Sequence, residues 1–271
     1  MPLITITDSF GSNGIEIAKR VAEELGVEVF DDKRLQWMVS ELEMPSGIGH
    51  DFDKHTPGFW EHLLSRQPLV FLEAMEAAVY DISRSGDGVI IGHGSQILLR
   101  DFDCAFHVRL QSDFTARVNN LVIQQGMNLV AAADLVANSD INQKGFFQYA
   151  FQMDLDTSSL YDLIINTGKM KTGTIADLIL VAVQSEDIRS CSLDALSSMK
   201  RLSQERSIHA ELLENNIDVS TLNIEVPQIG SVNISGVSAS QEEKDRIAKI
   251  VENVPGISQV NTDISVWVYT L

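Results

Sequence analysis

Seven residues near the start of the chain, Asp8-Ser9-Phe10-Gly11-Ser12-Asn13-Gly14, have the make-up of an anion-binding loop. Glycines and small polar residues let a backbone turn tightly and present its N–H groups to one point. A helix that starts directly after such a turn adds unpaired amides and a dipole that favour negative charge. Gly11, Ser12, Asn13 and Gly14 are therefore the candidate phosphate-binding residues. The loop holds no lysine, so an anion there must be balanced by backbone amides or by cations from elsewhere in the chain.

The flanking segments provide the scaffold this loop needs. Leu3-Ile4-Thr5-Ile6-Thr7 is apolar and β-branched and reads as a buried strand. Ala18, Val21, Ala22 and Leu25 recur at helical spacing, and Gly26 closes the helix. Further strands are expected at Val27–Phe30, Val89–Ile91, Cys104–Leu110 and Asp162–Asn166. Helices are expected from near Lys33, capped by Asp31-Asp32, and over Pro68–Arg84, Ser95–Leu99, Asp113–Gln125, Leu129–Ala137, Phe146–Phe151 and Thr174–Gln184. Strands alternating with helices predict an α/β fold, a parallel sheet covered on both faces. Ligands bind such sheets beyond the carboxyl ends of the strands. The glycine loop, Asp31, Gly92-His93-Gly94, the Gln111–Arg117 turn and Asn166-Thr167-Gly168-Lys169 should converge there.

The segment Glu43–Phe59 carries Pro45, Gly47, Gly49, Pro57 and Gly58 and reads as a long loop of the kind that covers sites. Its His50, Asp51, Asp53 and His55 match no metal-ligand spacing, and no metal site is expected. Beyond Ser185 the chain turns polar. Residues 1–185 are expected to form one domain, 186–207 a linker and helix, and 208–271 a small α+β domain. The helix, Leu196–Leu213, holds Lys200, Arg201 and Arg206, read as a solvated face. The last domain reads as an αββαβ unit: helix His209–Asn215, strands Leu222–Val226 and Val232–Val237, helix Gln241–Val254, strand Ser258–Val268. Ser240 and Glu243 form a capping box for its second helix.

The 271 residues carry a formal net charge of −18. That argues against nucleic acid as a partner and against docking on anionic membranes. It leaves a small phosphate ligand open, because a cleft can oppose the overall charge. Cys104, in an apolar run, reads as a small buried hydrophobe. No paired-cysteine framework is visible, which suits a reducing cytosol. No basic leader precedes the first strand, and no apolar stretch has spanning length. The expected location is the cytoplasm.

Residues 3 to about 184 resemble the cytidylate kinase-like family of P-loop nucleoside-monophosphate kinases. The opening motif, S-R-E-F-G-S-G-G-R-E-I-A-K, appears here from Thr7 to Lys19. The Y-D-R-E motif appears as Phe30-Asp31-Asp32-Lys33, the V-G-R-G turn as Ile91-Gly92-His93-Gly94, and the strand H-V-F-I as His107-Val108-Arg109-Leu110. The closing L-Y-D-L-V-I-N-T appears from Leu160 to Thr167. The resemblance implies transfer of a phosphoryl group from ATP, with Mg²⁺, to a CMP-type acceptor. Arg117 would steady the moving group, with Asp31, Arg34 and His93 on the acceptor side. Departures from the pattern fall on its cations. Asp8, Ile15 and His93 stand where the family has arginine, the lid pattern D-R-x-R becomes Asp140-Ile141-Asn142-Gln143, and a later lid arginine falls at Gln148. Arg117 is kept, with Lys144 and Lys169 as displaced substitutes. Residues 208–268 resemble a BON domain on Gly230–Val237 and Val254–Asn261, which implies ligand, lipid or membrane association. Three functions follow: a nucleotide- or phosphate-binding sensor that has lost fast catalysis, an active CMP-type kinase, or a scaffold acting as a homo-oligomer.

Overall fold

The computed structural model describes residues 3–41, 68–188 and 190–267. They fall into two compact units, residues 1–34 with 85–193, and residues 35–84 with 194–271. The segment Glu43–Phe59, with His50, Asp51, Asp53 and His55, lies outside the described residues.

The first unit is built on a five-stranded parallel sheet. Its strands are β1 (Leu3–Asp8), β2 (Val29–Phe30), β3 (Gly88–Ile91), β4 (Ala105–Gln111) and β5 (Leu163–Asn166), in the order β2-β3-β1-β4-β5. β1 lies in the middle, with Ile4 in register with Val89 on one side and Phe106 on the other. That position explains its continuous apolar run, since a central parallel strand is covered on both faces. α1 (Gly14–Leu25) buries Ile17, Ala18, Val21, Ala22 and Leu25. These residues join Ile4, Ile6, Val108 and Leu110, and Ile175, Ala176 and Ile179 of a later helix, in one core. Each fully buried branched side chain contributes about 1.5–3 kcal/mol. The switch of direction between β1→β3 and β1→β4 puts the glycine loop at the carboxyl edge, where such sheets bind ligands. α2 (Asp32–Glu41) starts where expected, with Asp31 accepting from the Arg34 amide at 3.0 Å.

Two sequence expectations fail here. Leu129–Ala137 and Phe146–Phe151 are not separate helices but the ends of one. The polar stretch between them does not mark a turn; Asp140, Gln143 and Lys144 are polar because they line a cleft. Cys104 is not a free buried thiol: it is disulfide-bonded to Cys191, so the cysteines lend no support to a reducing compartment. Among the described residues no helix is long and apolar enough to cross a membrane.

The second unit holds α3 (Pro68–Ser83) and a small mixed sheet. The intervening helices of the first unit are α4 (Ser95–Leu98), α5 (Phe114–Gln125), α6 (Leu129–Phe151) and α7 (Thr172–Val183). α8 (Leu193–Glu214) then leads into β6 (Leu222–Gln228), β7 (Ser231–Ser238), α9 (Gln241–Glu252) and β8 (Gln259–Val266). β7 pairs antiparallel with β6 and parallel with β8. Ile208 and Leu212 of α8 share a core with Ile224, Val232, Ile234, Ile247, Val251 and Ile264. The helices expected over Leu196–Leu213 and His209–Asn215 are one continuous helix, α8. Its Arg206 is not solvated either. Arg206 pairs with Glu73 and Glu76 of α3, at 3.1 Å each, and His209 reaches Glu73 at 3.4 Å. Burial outweighs the attraction of Arg206 and raises the Glu76 carboxyl to about 7.

The cap of α9 is reciprocal: Ser240 Oγ accepts from the Glu243 amide at 3.1 Å, and the Glu243 carboxylate accepts from the Ala239 amide at 2.6 Å. Ser240→Ala should cost about 1 kcal/mol. Hydrogen exchange of the α9 amides should quicken about fivefold, and unchanged exchange would contradict the cap.

Candidate anion-binding site

β1 ends at Asp8, and the chain turns sharply into α1. Ser9 N–H donates to Leu110 O at 3.0 Å, and Ser12 N–H donates to Ser9 O at 2.9 Å. Gly11 (φ +86°) and Asn13 (φ +67°) both lie in the left-handed region, the alternation that gathers amides into an anion nest. Gly11 is required by a neighbour: a Cβ there would stand 2.9 Å from the Arg117 carbonyl. Asn120 fastens the same residue, donating to Gly11 O at 2.9 Å. Ser12 Oγ is buried with no hydrogen-bond partner.

Gly14 is glycine for a different reason. A Cβ on it would overlap the carboxyl group of Asp8. A carboxylate thus stands at the first N–H of α1, where the helix dipole and the loop amides would receive an external anion. Burial pushes the Asp8 carboxyl up, to about 6, against the pull of Arg109. Asp32 adds to the rise, while the Asp8 and Gly14 amides oppose it. Gln143 of α6 donates to the Asp8 carbonyl at 3.0 Å.

The expected cation, Arg117, sits in α5 and is almost fully buried. It forks onto both carboxylate oxygens of Asp140, each at 2.8 Å, and donates to Phe10 O at 3.3 Å and Ser112 O at 3.1 Å. Arg117 therefore clips the glycine loop, α5 and α6 together. Asp140 neutralises it.

Sequence reasoning missed Arg109. It lies on β4, 5% exposed, beside the glycine loop. Its Nη2 donates to Ser9 Oγ at 3.2 Å and stands 3.6 Å from Asp156, while Nε and Nη1 are buried without a partner. The signal was present: His107, Arg109 and Gln111 alternate along a strand that is otherwise apolar, which puts them on one face. Arg109 opens onto a cleft of about 300 Å³ lined also by Ser9, Gln111, Ser112, Lys144, Asp156 and Asn166. Lys144 pairs with Asp156 at 3.1 Å, and the hydrogen bond and charge of Asp156 hold the ammonium above its ordinary range. Of the features expected to converge, Ser9 of the loop, Gln111, Ser112, Asp113 and Arg117 of the turn, and Asn166 line this cleft, whereas Gly11, Ser12, Asn13, Gly14 and the Gly92-His93-Gly94 turn do not.

The acceptor-side candidates are placed elsewhere. Asp31 caps α2, and Arg34 pairs with Glu28 at 2.5 Å, its guanidinium 6.0 Å from the Phe30 ring centre. His93 is buried in a left-handed turn (φ +59°) and meets Asp32 at 2.6 Å. Burial disfavours the Asp32 carboxylate, but the charge and hydrogen bond of His93 win and hold it below its ordinary range. None of the three lines the cleft.

A nucleoside triphosphate with Mg²⁺ does not fit this loop in the usual way. That arrangement takes a lysine and a hydroxyl at the start of the helix. Here those positions hold Ile15, 47% exposed, and Glu16, which accepts from Thr172 Oγ1 at 2.8 Å. Among the described residues no group of three or more His, Cys, Asp or Glu could hold a metal ion.

Comparison with known proteins gives these features a family context. The sequence profile of the cytidylate kinase-like family matches residues 3–169, and that of the BON domain matches residues 203–266. A cytidylate kinase from Thermoplasma volcanium is 21% identical over 189 residues, which is 65% of this chain and 88% of that enzyme. A uronate isomerase from Corynebacterium glutamicum is 27% identical over 96 residues; the match spans 35% of this chain but only 18% of that enzyme. Among solved structures, an uncharacterized protein from Eubacterium ventriosum superposes with a TM-score of 0.55 at 17% identity, covering 68% of this chain and 99% of that one. This likeness is one of fold.

Proposed function

The chain belongs to the cytidylate kinase-like family, and we propose that within it this protein binds a nucleotide or another phosphate ligand in a sensing or regulatory role. The observation that carries the reading is Arg109, a buried guanidinium with two unpartnered nitrogens facing a cleft beside the glycine loop. A buried charge without full pairing costs free energy, and a phosphate group would supply the missing acceptors. Fast phosphoryl transfer needs several cations around the moving group. Arg117 is engaged by Asp140, and no lysine or arginine stands in the loop.

In this reading the regulatory output is the BON domain, to which the chain itself links the site. α3 runs through Ser85–Asp87 directly into β3, and its Glu73 and Glu76 are paired with Arg206 of α8. α8 in turn belongs to the core of the BON domain.

Titration calorimetry with ATP and CMP tests the reading. Arg109→Met should weaken binding about 10- to 100-fold, the loss of a charge-assisted hydrogen bond or two. Binding that is equally tight in the variant removes Arg109 from the site, and absence of binding to the wild type at millimolar ligand removes the reading.

The likeness to a cytidylate kinase over most of that enzyme's length favours a second reading, an active CMP-type kinase using ATP and Mg²⁺. A coupled assay for ADP formation across a nucleotide panel decides between the two.

A further inference from the structure

The Asp8 carboxyl group occupies the place beside the Gly14 amide where an anion would be received, and nothing in the reading above accounts for it. Two further observations mark the place as built for an anion. Arg109, 95% buried by its 5% exposure, keeps Nε and Nη1 without a partner. Ser12 Oγ, fully buried in the loop itself, also lacks one. The site thus has an anion of its own and still has donors to spare.

We propose that the Asp8 carboxylate is a built-in competitor for the ligand, so that the loop and Arg109 take up a phosphoryl-type dianion only together with a proton. This rests on the reading that the loop binds phosphate, and adds how that binding is controlled. A dianion placed against the α1 amides would lie beside a fixed negative charge in a poorly solvated place, where like charges repel strongly. Protonation of Asp8 removes that repulsion and turns the carboxyl into a donor. Burial already raises its pKa, to about 6, so the proton is within reach near neutrality.

The groups facing Asp8 do not supply the same switch. Arg109 of β4 keeps its charge throughout. Asp32 of α2 is held ionised by His93 of the β3–α4 turn. Gln143 of α6 donates to the Asp8 backbone and does not titrate. His93 meets Asp32 and not Asp8, and a variant at Asp8 separates any effect carried through that pair.

Sulfate is the probe, because it stays a dianion from pH 5 to pH 8 and any pH dependence belongs to the protein. For the wild type, sulfate affinity by calorimetry should fall about 100-fold between pH 5 and pH 8, close to tenfold per unit once Asp8 is ionised. Asp8→Asn should bind at pH 8 as tightly as the wild type does at pH 5, with a flat profile. In wild-type protein at pH 7.5, titration in two buffers of different ionisation enthalpy should show about one proton taken up per sulfate, a measurement that needs no variant. A flat wild-type profile, an equal slope in Asp8→Asn, or no proton uptake would overturn the gate while leaving phosphate binding intact. No sulfate binding by either protein at any pH would overturn both the gate and the reading beneath it.

Discussion

Asp8→Asn raises the stability of the first unit by up to about 3 kcal/mol at pH 7 to 8 and leaves it nearly unchanged at pH 4. The sign follows from the direction of the shift. The folded carboxyl titrates at about 6 against 3.8 for an ordinary one. Its contribution is therefore complete below pH 4 and is lost as pH rises through 6, where the folded chain must ionise a group that burial penalises. Asparagine keeps the shape and removes the ionisation. The difference between the two proteins, not either profile alone, isolates Asp8, because Glu76 and Asp32 titrate in both. Thermal melts at pH 4, 5, 6, 7 and 8 should show the gap opening to roughly 6–10 °C. A gap that is constant with pH would mean that Asp8 is not a strained ion.

The second large effect belongs to Arg117. Arg117→Met should destabilise the protein by about 1–2 kcal/mol, because it unpairs the half-buried Asp140 carboxylate and frees the loop carbonyl of Phe10. Replacing both partners, Arg117→Met with Asp140→Ala, should restore part of the loss, since Arg117 is buried and Asp140 half-buried, and the variant then leaves no unpaired charge. The denaturation midpoint of the three variants reads this directly. A single variant within 0.5 kcal/mol of wild type, on the scale of an ordinary surface substitution, would show that the fork carries no structural load. This outcome separates a clip from a catalytic cation, whose loss would leave stability alone.

Much of the fold is legible in the residue order because burial imposes it locally. Leu3–Thr7, Val89–Ile91 and the helix that buries Ile17, Val21 and Leu25 each announce their partners through composition and spacing. The glycine loop is legible for the same reason. What escapes is set by contacts distant in sequence. Polar residues in the middle of α6 look like a break until a cleft is seen beside them. Arg117 looks free until Asp140, 23 residues later, is found against it. Arg109 hides in a strand whose neighbours are apolar, and Asp8 reads as one more loop residue until its carboxyl is found beside Gly14. The pairing of Cys104 with Cys191, 87 positions apart, has no local signal at all.

That last bond also sets the mechanical path through the chain. Tension applied between the amino terminus and the BON domain enters at Cys191 and passes straight to Cys104, just ahead of β4. The stretch between them, 87 positions and roughly 300 Å of extended chain, stays slack. Arg109, Arg117 and Asp140 all lie on that sheltered length, whereas Asp8 and Gly14 lie on the loaded one. A pull would therefore draw the loop away from its cations before it disturbed the cations themselves.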